Sequence, residues 1–310
     1  MANVLPLATQ VRIISALVEG CSIRATARMT DTHRDTVMRL GVRVGEACAE
    51  LHDRLMRDLH VSTIELDEIW SYIGKKQKRV TVGDGPDKGD CYTFIALDAN
   101  RKAILSFKTG QRNTATTVAL VADLRERVLG RAQITSDGWK AYPDAVELAF
   151  GTDADFAVIS KGYQTPDFEG NVRSQAGGVT FCEKRVVSGS PDPDRISTSY
   201  IERANLTVRM HSRRFTRRTN AFSKKLRNHR AAVALHAAWY NFVRVHQTLR
   251  VTPAMELGVS DSVWSMEELL LRALETEAPE PQSAPMPPSP KGSPAPRAPF
   301  LRVIEGGKAN

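Results

Sequence analysis

The sequence predicts an α/β chain: a mixed β-sheet with flanking helices, preceded by an all-α segment. Three observations predict it. Residues 8–58 carry apolar positions at helical spacing, interrupted by capping residues. From residue 61, short β-rich runs alternate with amphipathic stretches. A composition of 42% hydrophobic and 25% charged residues over 310 positions lets the chain bury a sizeable core.

The elements follow in order. "ATQVRIISALVEG" reads as a helix that stops at Gly20, and "SIRATARMT" begins at Ser22, a good N-cap. "DTHRDTVMRLGVRVGEACAELHDRLMRDL" then opens with Asp31 and Thr32 and continues as a longer helix. A helix, a short helix, a tight turn and a longer helix give the outline of a helix-turn-helix over residues 1–60. Its recognition positions would include His33, Arg34, Thr36 and Val37, with Arg39 one turn on. Three helices forming a plain cap would leave the same pattern.

"STIELDEIWSYI" reads as a strand, and "CYTFIALDANRKAILSFKTG" as a hairpin turning at "DANRK". "TATTVALVADLRERVL" is an amphipathic helix, "AQITSDGWKAY" a strand running into a turn, "PDAVELAF" a short helix and "ADFAVIS" a further strand. Residues 161–198 are rich in Gly, Pro, Ser and Asp and read as a loop or insertion. "SYIERANLTVRMHSRRF" reads as a helix, with Ile201, Val208, Phe215 and Phe222 along its buried side, and "SKKLRNHRAAVALHAAWYNFVRVHQTL" as another. Three strands, helix, strand, helix, strand and then helices is the order of a ribonuclease-H-like mixed sheet over residues 61–258. A short helical extension covers 259–277. The Pro-rich remainder, 278–310, reads as a disordered tail, with nine of the sixteen prolines between 278 and 299.

The net charge of +8 favours an anionic partner. It is concentrated in one stretch, because residues 203–230 hold ten Lys or Arg and no acid. Solvated helices usually mix signs to form i,i+4 pairs. An unbalanced run that includes Arg213, Arg214, Arg217, Arg218, Lys224 and Lys225 therefore suggests a track for a phosphate backbone. Cys21, Cys48, Cys91 and Cys182 are far apart and form no CxxC pair, which suits neither a zinc ribbon nor a disulfide framework. No signal peptide and no long apolar span is apparent, so the expected location is the cytoplasm.

Three acids fit a two-metal phosphoryl-transfer site, which needs carboxylates converging on divalent ions. Asp67 lies on the face of its strand opposite Ile64 and Leu66, where a solvated acidic edge with Glu65 and Glu68 is the alternative. Asp137 follows an apolar strand and precedes Gly138, where an Asx turn is the alternative. Glu202 sits in the first turn of its helix, where favouring the helix dipole is the alternative. Two Mg²⁺ ions, or Mn²⁺ in their place, suit such an all-oxygen set. Arg209 projects on the same side as Glu202, two turns on. His246 could touch a scissile phosphate or the Glu202 helix, or be structural. Trp70 and Trp139 could stack on an unpaired base or pack in the core.

"ELDEIWSYIGKKQKR", "TSDGWKAY", "YIERANLTVRMHSRRFTRRTNAFSK" and "NFVRVHQTLRVTPAM", in that order, resemble insertion-sequence transposases of the DDE type, and are most similar to the IS1 family. The resemblance covers roughly residues 8–258. It implies that Asp67, Asp137 and Glu202 form the metal-binding triad, with Arg209 as the basic residue beyond the glutamate. It also implies a ribonuclease-H-like core and a helix-turn-helix that reads terminal inverted repeats. The expected partners are those repeats, target DNA and further copies of the chain in a homo-oligomeric synapse. Two features depart from the pattern: the cysteines cannot build an N-terminal zinc finger, and Asp31 stands where the turn glycine is usual. The rival readings are a non-enzymatic DNA-binding repressor and a nuclease that cuts without joining. A tyrosine recombinase built on Tyr240, Arg244 and His246 would leave the three separated acids unexplained.

Overall fold

The structure is a computed structural model that describes residues 5–163, 179–216 and 219–275. The chain opens with three helices, α1 (Leu7–Val18), α2 (Ile23–Thr30) and α3 (Arg34–Leu55). The Ser22 hydroxyl caps α2 by accepting the Ala25 N–H at 3.1 Å. Asp31 ends α2 in the left-handed region, φ 48° and ψ 44°, a conformation that Asp tolerates better than most residues with a Cβ. The His33 imidazole then caps α3 by accepting the Asp35 N–H at 3.3 Å. Ile13, Ile14 and Val18 of α1 and Val37, Val44 and Leu51 of α3 are buried, which accounts for the helical spacing of apolar residues.

The β region follows: β1 (Leu59–His60), β2 (Thr63–Ile73), β3 (Gly89–Asp98), β4 (Ile104–Gly110), α4 (Thr114–Arg125), β5 (Val128–Leu129), β6 (Ala132–Ser136), α5 (Tyr142–Phe150), β7 (Ala154–Tyr163) and β8 (Val179–Ser188). Six strands form one mixed sheet in the order β4-β3-β2-β6-β7-β8, and β1 pairs separately with β5. β2 pairs antiparallel with β3 and parallel with β6, and β6 pairs parallel with β7. β2 is therefore central. Its first four residues, Thr63 to Leu66, are all buried, as expected of a strand covered on both faces. The β3–β4 turn uses Asp98, which is fully buried and accepts the N–H groups of Asn100 and Arg101.

Four helices complete the described fold: α6 (Ser199–His211), α7 (Leu226–Phe242), α8 (Pro253–Glu256) and α9 (Met266–Glu275). Buried Asn241 of α7 ties that helix to β4, accepting the Ile104 N–H at 3.0 Å and donating to the Ile104 carbonyl at 2.8 Å. Buried Arg127 joins the end of α3 to α4, donating to Asp53 at 2.6 Å, Asp123 at 2.7 Å and the Met56 carbonyl at 3.1 Å. The four cysteines are free. Among the described residues no helix is long and apolar enough to cross a membrane.

Two elements differ from the sequence expectation. Residues 179–188, expected in a loop, form β8 along the edge of the sheet. Phe181 through Val187 are exposed or nearly so on both faces, so no alternation of apolar and polar residues marks the strand. The helix expected to run through Phe215 ends at His211, because Ser212 turns extended (φ −114°, ψ 104°) before a short 3-10 turn at Arg213–Phe215. Ile201, Val208 and Phe215 are buried as expected, whereas Phe222 lies beyond any helix, its ring centroid 4.8 Å from that of Tyr72.

The crossing of α3 and α7 is tight. A Cβ on Gly45 would lie 2.2 Å from the Ala231 carbonyl oxygen, so only glycine allows this approach. Gly45→Ala is expected to force the helices apart and destabilise the protein by about 1–3 kcal/mol, the usual cost of overpacking, read as a lower denaturant midpoint.

Candidate metal-binding and active site

The parallel ladder between β2 and β6 ends at Leu66 opposite Ser136. The next residue on each strand is the candidate acid, so Asp67 and Asp137 emerge side by side. Asp137 follows the carboxyl end of β6, where open α/β sheets receive ligands, and Asp67 faces it from midway along the longer β2. Asp137 Oδ1 accepts the Trp139 N–H at 3.0 Å, so the Asx turn forms as well, and Oδ2 stays available to the site. Asp67 Oδ1 accepts the Glu68 N–H at 2.8 Å, and its Oδ2 accepts from Asn205 Nδ2 at 2.8 Å.

The third acid of the tightest group is Glu68. Asp67, Glu68 and Asp137 each offer a carboxylate oxygen within 4.8 Å of the others. Glu68 is held by the Tyr142 hydroxyl at 3.1 Å and by Arg112 Nε. The Arg112 guanidinium also lies 3.6 Å from Asp137 Oδ2 and 4.3 Å from the centre of the Trp139 ring. Trp139 donates its ring N–H to Thr117 at 3.0 Å and packs on the core.

Glu202 lines the same pocket of about 590 Å³, together with Asp67, Glu68, Asp137, Asn205 and Arg209. Its Oε1 is drawn to Lys161 Nζ at 2.5 Å and to the Thr198 hydroxyl at 2.8 Å, which keeps it out of the three-oxygen group. The structure thus gathers all three sequence-predicted acids into one pocket, with Arg209 lining it two helical turns past Glu202.

The helix that carries Glu202 is anchored by another carboxylate. Glu65 of β2, 1% exposed, accepts the Ile201 N–H at 2.7 Å. Among the described residues no side chain of Thr198, the residue before α6, caps the helix, so Glu65 meets part of that need. Asn205, one turn after Glu202, presents its Nδ2 to Asp67. Sequence reasoning missed Glu65, Glu68, Arg112, Lys161 and Asn205 as parts of the site. The i,i+3 spacing from Glu202 to Asn205 and the i,i+2 spacing from Glu65 to Asp67 were available signals. Nothing local marks Arg112 or Lys161, which arrive from other strands and loops.

The electrostatics suit a hard cation. Burial, with Asp137 alongside, pushes Asp67 up to about 6, and burial next to Asp137 pushes Glu68 up to about 7. Asp137 is raised as well, chiefly by burial. Crowded carboxylates in a half-dry pocket resist ionising together, and a bound divalent ion reverses that penalty. Asn205 Oδ1 is buried and has no hydrogen-bond partner among the described residues, leaving one more oxygen donor beside the acids. An all-oxygen set matches Mg²⁺ or Mn²⁺ better than a thiophilic metal.

The expected DNA-contacting residues divide. Arg34 and Arg39 are exposed on α3, and Thr36 is half-buried. Arg213, Lys224 and Lys225 are exposed around the segment between α6 and α7. Arg214 turns inward, donating to the Ser223 hydroxyl at 3.0 Å, so it leaves the outward track. Arg217 and Arg218 lie outside the described residues. His246 bonds the Thr248 hydroxyl at 3.0 Å and does not line the acidic pocket. Tyr240 is 4% exposed, and burial pushes its phenol up to about 12, which suits no nucleophile for a DNA strand.

Among solved structures, the chain is similar to a piggyBac transposase synaptic complex with hairpin DNA, at 10% identity and a TM-score of 0.38, covering 90% of this chain and 73% of that one. It is also similar to a Mos1 transposase paired-end complex with the left transposon end, at 14% identity and a TM-score of 0.19 over 48% of this chain and 58% of that one. A pre-cleavage Mos1 transpososome matches at 12% identity and a TM-score of 0.18, over 50% and 60%. No protein-family model and no curated protein matches the sequence. At these identities and TM-scores the functional reading rests on the residues of the site.

The acid pocket sets a pH dependence. Asp67 and Glu68 are raised from 3.8 and 4.5 to about 6 and 7, so they favour the folded chain only while protonated. That contribution is complete below the ordinary values and is lost as pH rises through the folded ones. Without divalent cation, the denaturant midpoint is expected to fall between pH 4 and pH 7. The fall should be smaller in Asp137→Asn, which removes the neighbouring charge. Added Mg²⁺ should raise the midpoint more at pH 8 than at pH 5. Identical pH slopes for the two proteins would refute the charge coupling.

Proposed function

We propose that this chain is a DNA transposase of the DDE type, which cuts strands at the ends of an insertion sequence and joins the resulting 3′-OH to target DNA. The observation that carries the proposal is the β2–β6 register, which sets Asp67 beside Asp137 and opens their pocket to Glu202 of α6. The strand order β4-β3-β2-β6-β7, with helices from the connecting segments, supports a ribonuclease-H-like core. The sequence motifs around the three acids support placement near the IS1 family.

Asp67, Asp137 and Glu202 would hold the divalent ions, with Glu68 at hand as a further oxygen donor. Bound there, Mg²⁺ or Mn²⁺ would lower the pKa of an attacking oxygen and offset charge on the leaving one. The chain's own groups do the rest. Asn205 fixes the Asp67 carboxylate by its Nδ2 bond, and Glu65 fixes the helix that bears Glu202. Arg209, which lines the pocket, would meet a phosphate charge. Cutting breaks a phosphodiester by attack of water and leaves a 3′-OH. Joining breaks a target phosphodiester by attack of that hydroxyl, so no covalent protein–DNA bond is needed. The exposed Arg34 and Arg39 of α3 would read the terminal inverted repeats, and Arg213, Lys224 and Lys225 would track the backbone. Pairing two element ends calls for at least two copies of the chain. A repressor would need none of the buried carboxylates.

The test is incubation of the full chain with labelled DNA carrying the element's own ends, in Mg²⁺ and in chelator. Metal-dependent 3′-end cleavage and joining are expected. Asp137→Asn and Glu202→Gln should each lose more than about 100-fold in rate, since even outer partners of metal ligands cost 10–100-fold, while end binding persists. Glu68→Gln should retain the greater part of the activity. End binding without strand chemistry, unchanged by Asp137→Asn, would overturn the proposal in favour of a repressor.

A further inference from the structure

A second cavity, of about 740 Å³, lies between the N-terminal helices and the segment joining α6 to α7. Its volume is in the range of small-ligand sites. Leu17, Ile23, Met38, Phe222 and Leu235 give it apolar walls. Arg24, Arg34, Arg213 and Lys224 also line it, and all four are exposed, which gives it a cationic mouth. Among the described residues the one acid in its lining is Asp35, which pairs with Arg34 at 3.6 Å.

His236 of α7 lines this cavity and is only 4% exposed. Neither of its ring nitrogens has a hydrogen-bond partner among the described residues. Buried polar groups are rarely left unpaired, and each such case asks for an explanation. Burial, with His211 and Arg244 alongside, holds the imidazole down to about 3, so the ring is neutral. A neutral imidazole gives one hydrogen bond and takes one. It is therefore suited to the edge of an uncharged polar heterocycle and not to an anion, whereas the cations at the mouth are suited to a phosphate.

We propose that this cavity binds one unpaired nucleotide, with the base seated against His236 between the apolar walls and the phosphate held by the cations at the mouth. Its biological source, an unpaired nucleotide of the bound strand, rests on the DNA-binding reading above. A free mononucleotide would present the same chemistry. The position favours the strand. His211 lines the cavity and Glu202 lines the acidic pocket, and they stand nine residues apart on α6, about 14 Å at 1.5 Å per residue. A strand crossing from one to the other would cover about four stacked nucleotides at 3.4 Å each. The base taken up would thus be near the bond being cut.

The experiment measures binding of three probes to the full chain in chelator: thymidine 5′-monophosphate, a short oligothymidylate and inorganic phosphate. Calorimetry gives the affinity. The fluorescence of Trp239, whose ring centroid lies 5.5 Å from that of His236, reports occupancy. Both nucleotide probes are expected to bind, and phosphate at least about tenfold more weakly. His236→Leu should weaken the nucleotide probes about tenfold, the effect of losing a hydrogen bond, and leave phosphate unchanged. His236→Asn, which keeps a donor and an acceptor, should retain most of the affinity. Met38→Trp, which fills the cavity from its wall, should block the mononucleotide and weaken the oligonucleotide to what the backbone track alone retains, even if His236→Leu fails to fold. Equal binding of phosphate and nucleotide, or full nucleotide affinity in folded His236→Leu or Met38→Trp, would overturn the proposal. Binding of the mononucleotide without the oligonucleotide would overturn the strand as source. Because the readout needs neither metal nor cleavage, failure of strand chemistry with nucleotide binding intact refutes the transposase reading alone.

Discussion

The site depends on a register. Because β2 and β6 run parallel and stay in step up to Leu66 and Ser136, the two aspartates that follow share one edge of the sheet. A slip of one residue would move Asp67 or its partner to the other face, since strand side chains alternate. The buried Ile64, Leu66 and Ile134 set this register by filling the core beneath it. From β2 the same constraint reaches the helices. Glu65, two residues before Asp67, grips the N-terminal turn of α6, so the strand that supplies one acid also positions the helix that supplies another.

Environment gives neighbouring carboxylates different work. Glu65 is sealed in, where burial pushes it up to about 7 while its carboxyl oxygens accept backbone N–H groups of α6. Asp67 and Asp137 face a pocket where a few backbone and side-chain donors and one guanidinium hold them beside each other. Arg112 leans on Glu68 and Asp137, and Lys161 on Glu202, so the pocket carries cations of its own that offset part of the crowding. These contacts let the chain fold around four acids. A divalent ion entering the pocket would compete with Arg112 and Lys161 for the same oxygens, and would bind by outmatching two monovalent side chains with a denser charge.

Much of the fold was legible because its signals are local. Caps at Ser22, the hairpin turn at Asp98 and the apolar runs of β2, β3 and β6 are written in short stretches. Asp67, Asp137 and Glu202 were legible for the same reason, Asp67 from the alternation along its strand, Asp137 from its place after one and Glu202 from its place at a helix start. What escaped depends on distant parts of the chain. Glu68 was read only as part of a solvated acidic edge, yet its long side chain reaches Tyr142 and Arg112 beside the site. Arg214 looked like one more cation in a basic run, but it packs beside Ser223 and His229, whose own burial no local pattern reveals. β8 escaped because an exposed edge strand has no buried face to impose a period.

The basic stretch that opens with a lone glutamate then has a physical account. α6 separates charges that would cancel each other if mixed. Its first turn holds Glu202, where a carboxylate favours the helix dipole and meets the acidic pocket. Its last turn holds Arg209, where a cation favours the opposite end. Beyond it the chain turns at Ser212 instead of continuing as helix, so Arg213 and, after the turn, Lys224 swing toward the N-terminal helices. An acid among them would pair locally and quench the cationic mouth of the second cavity. The absence of acids over residues 203–230 is what keeps one end of α6 negative and suited to a divalent ion, and the other positive and suited to phosphate.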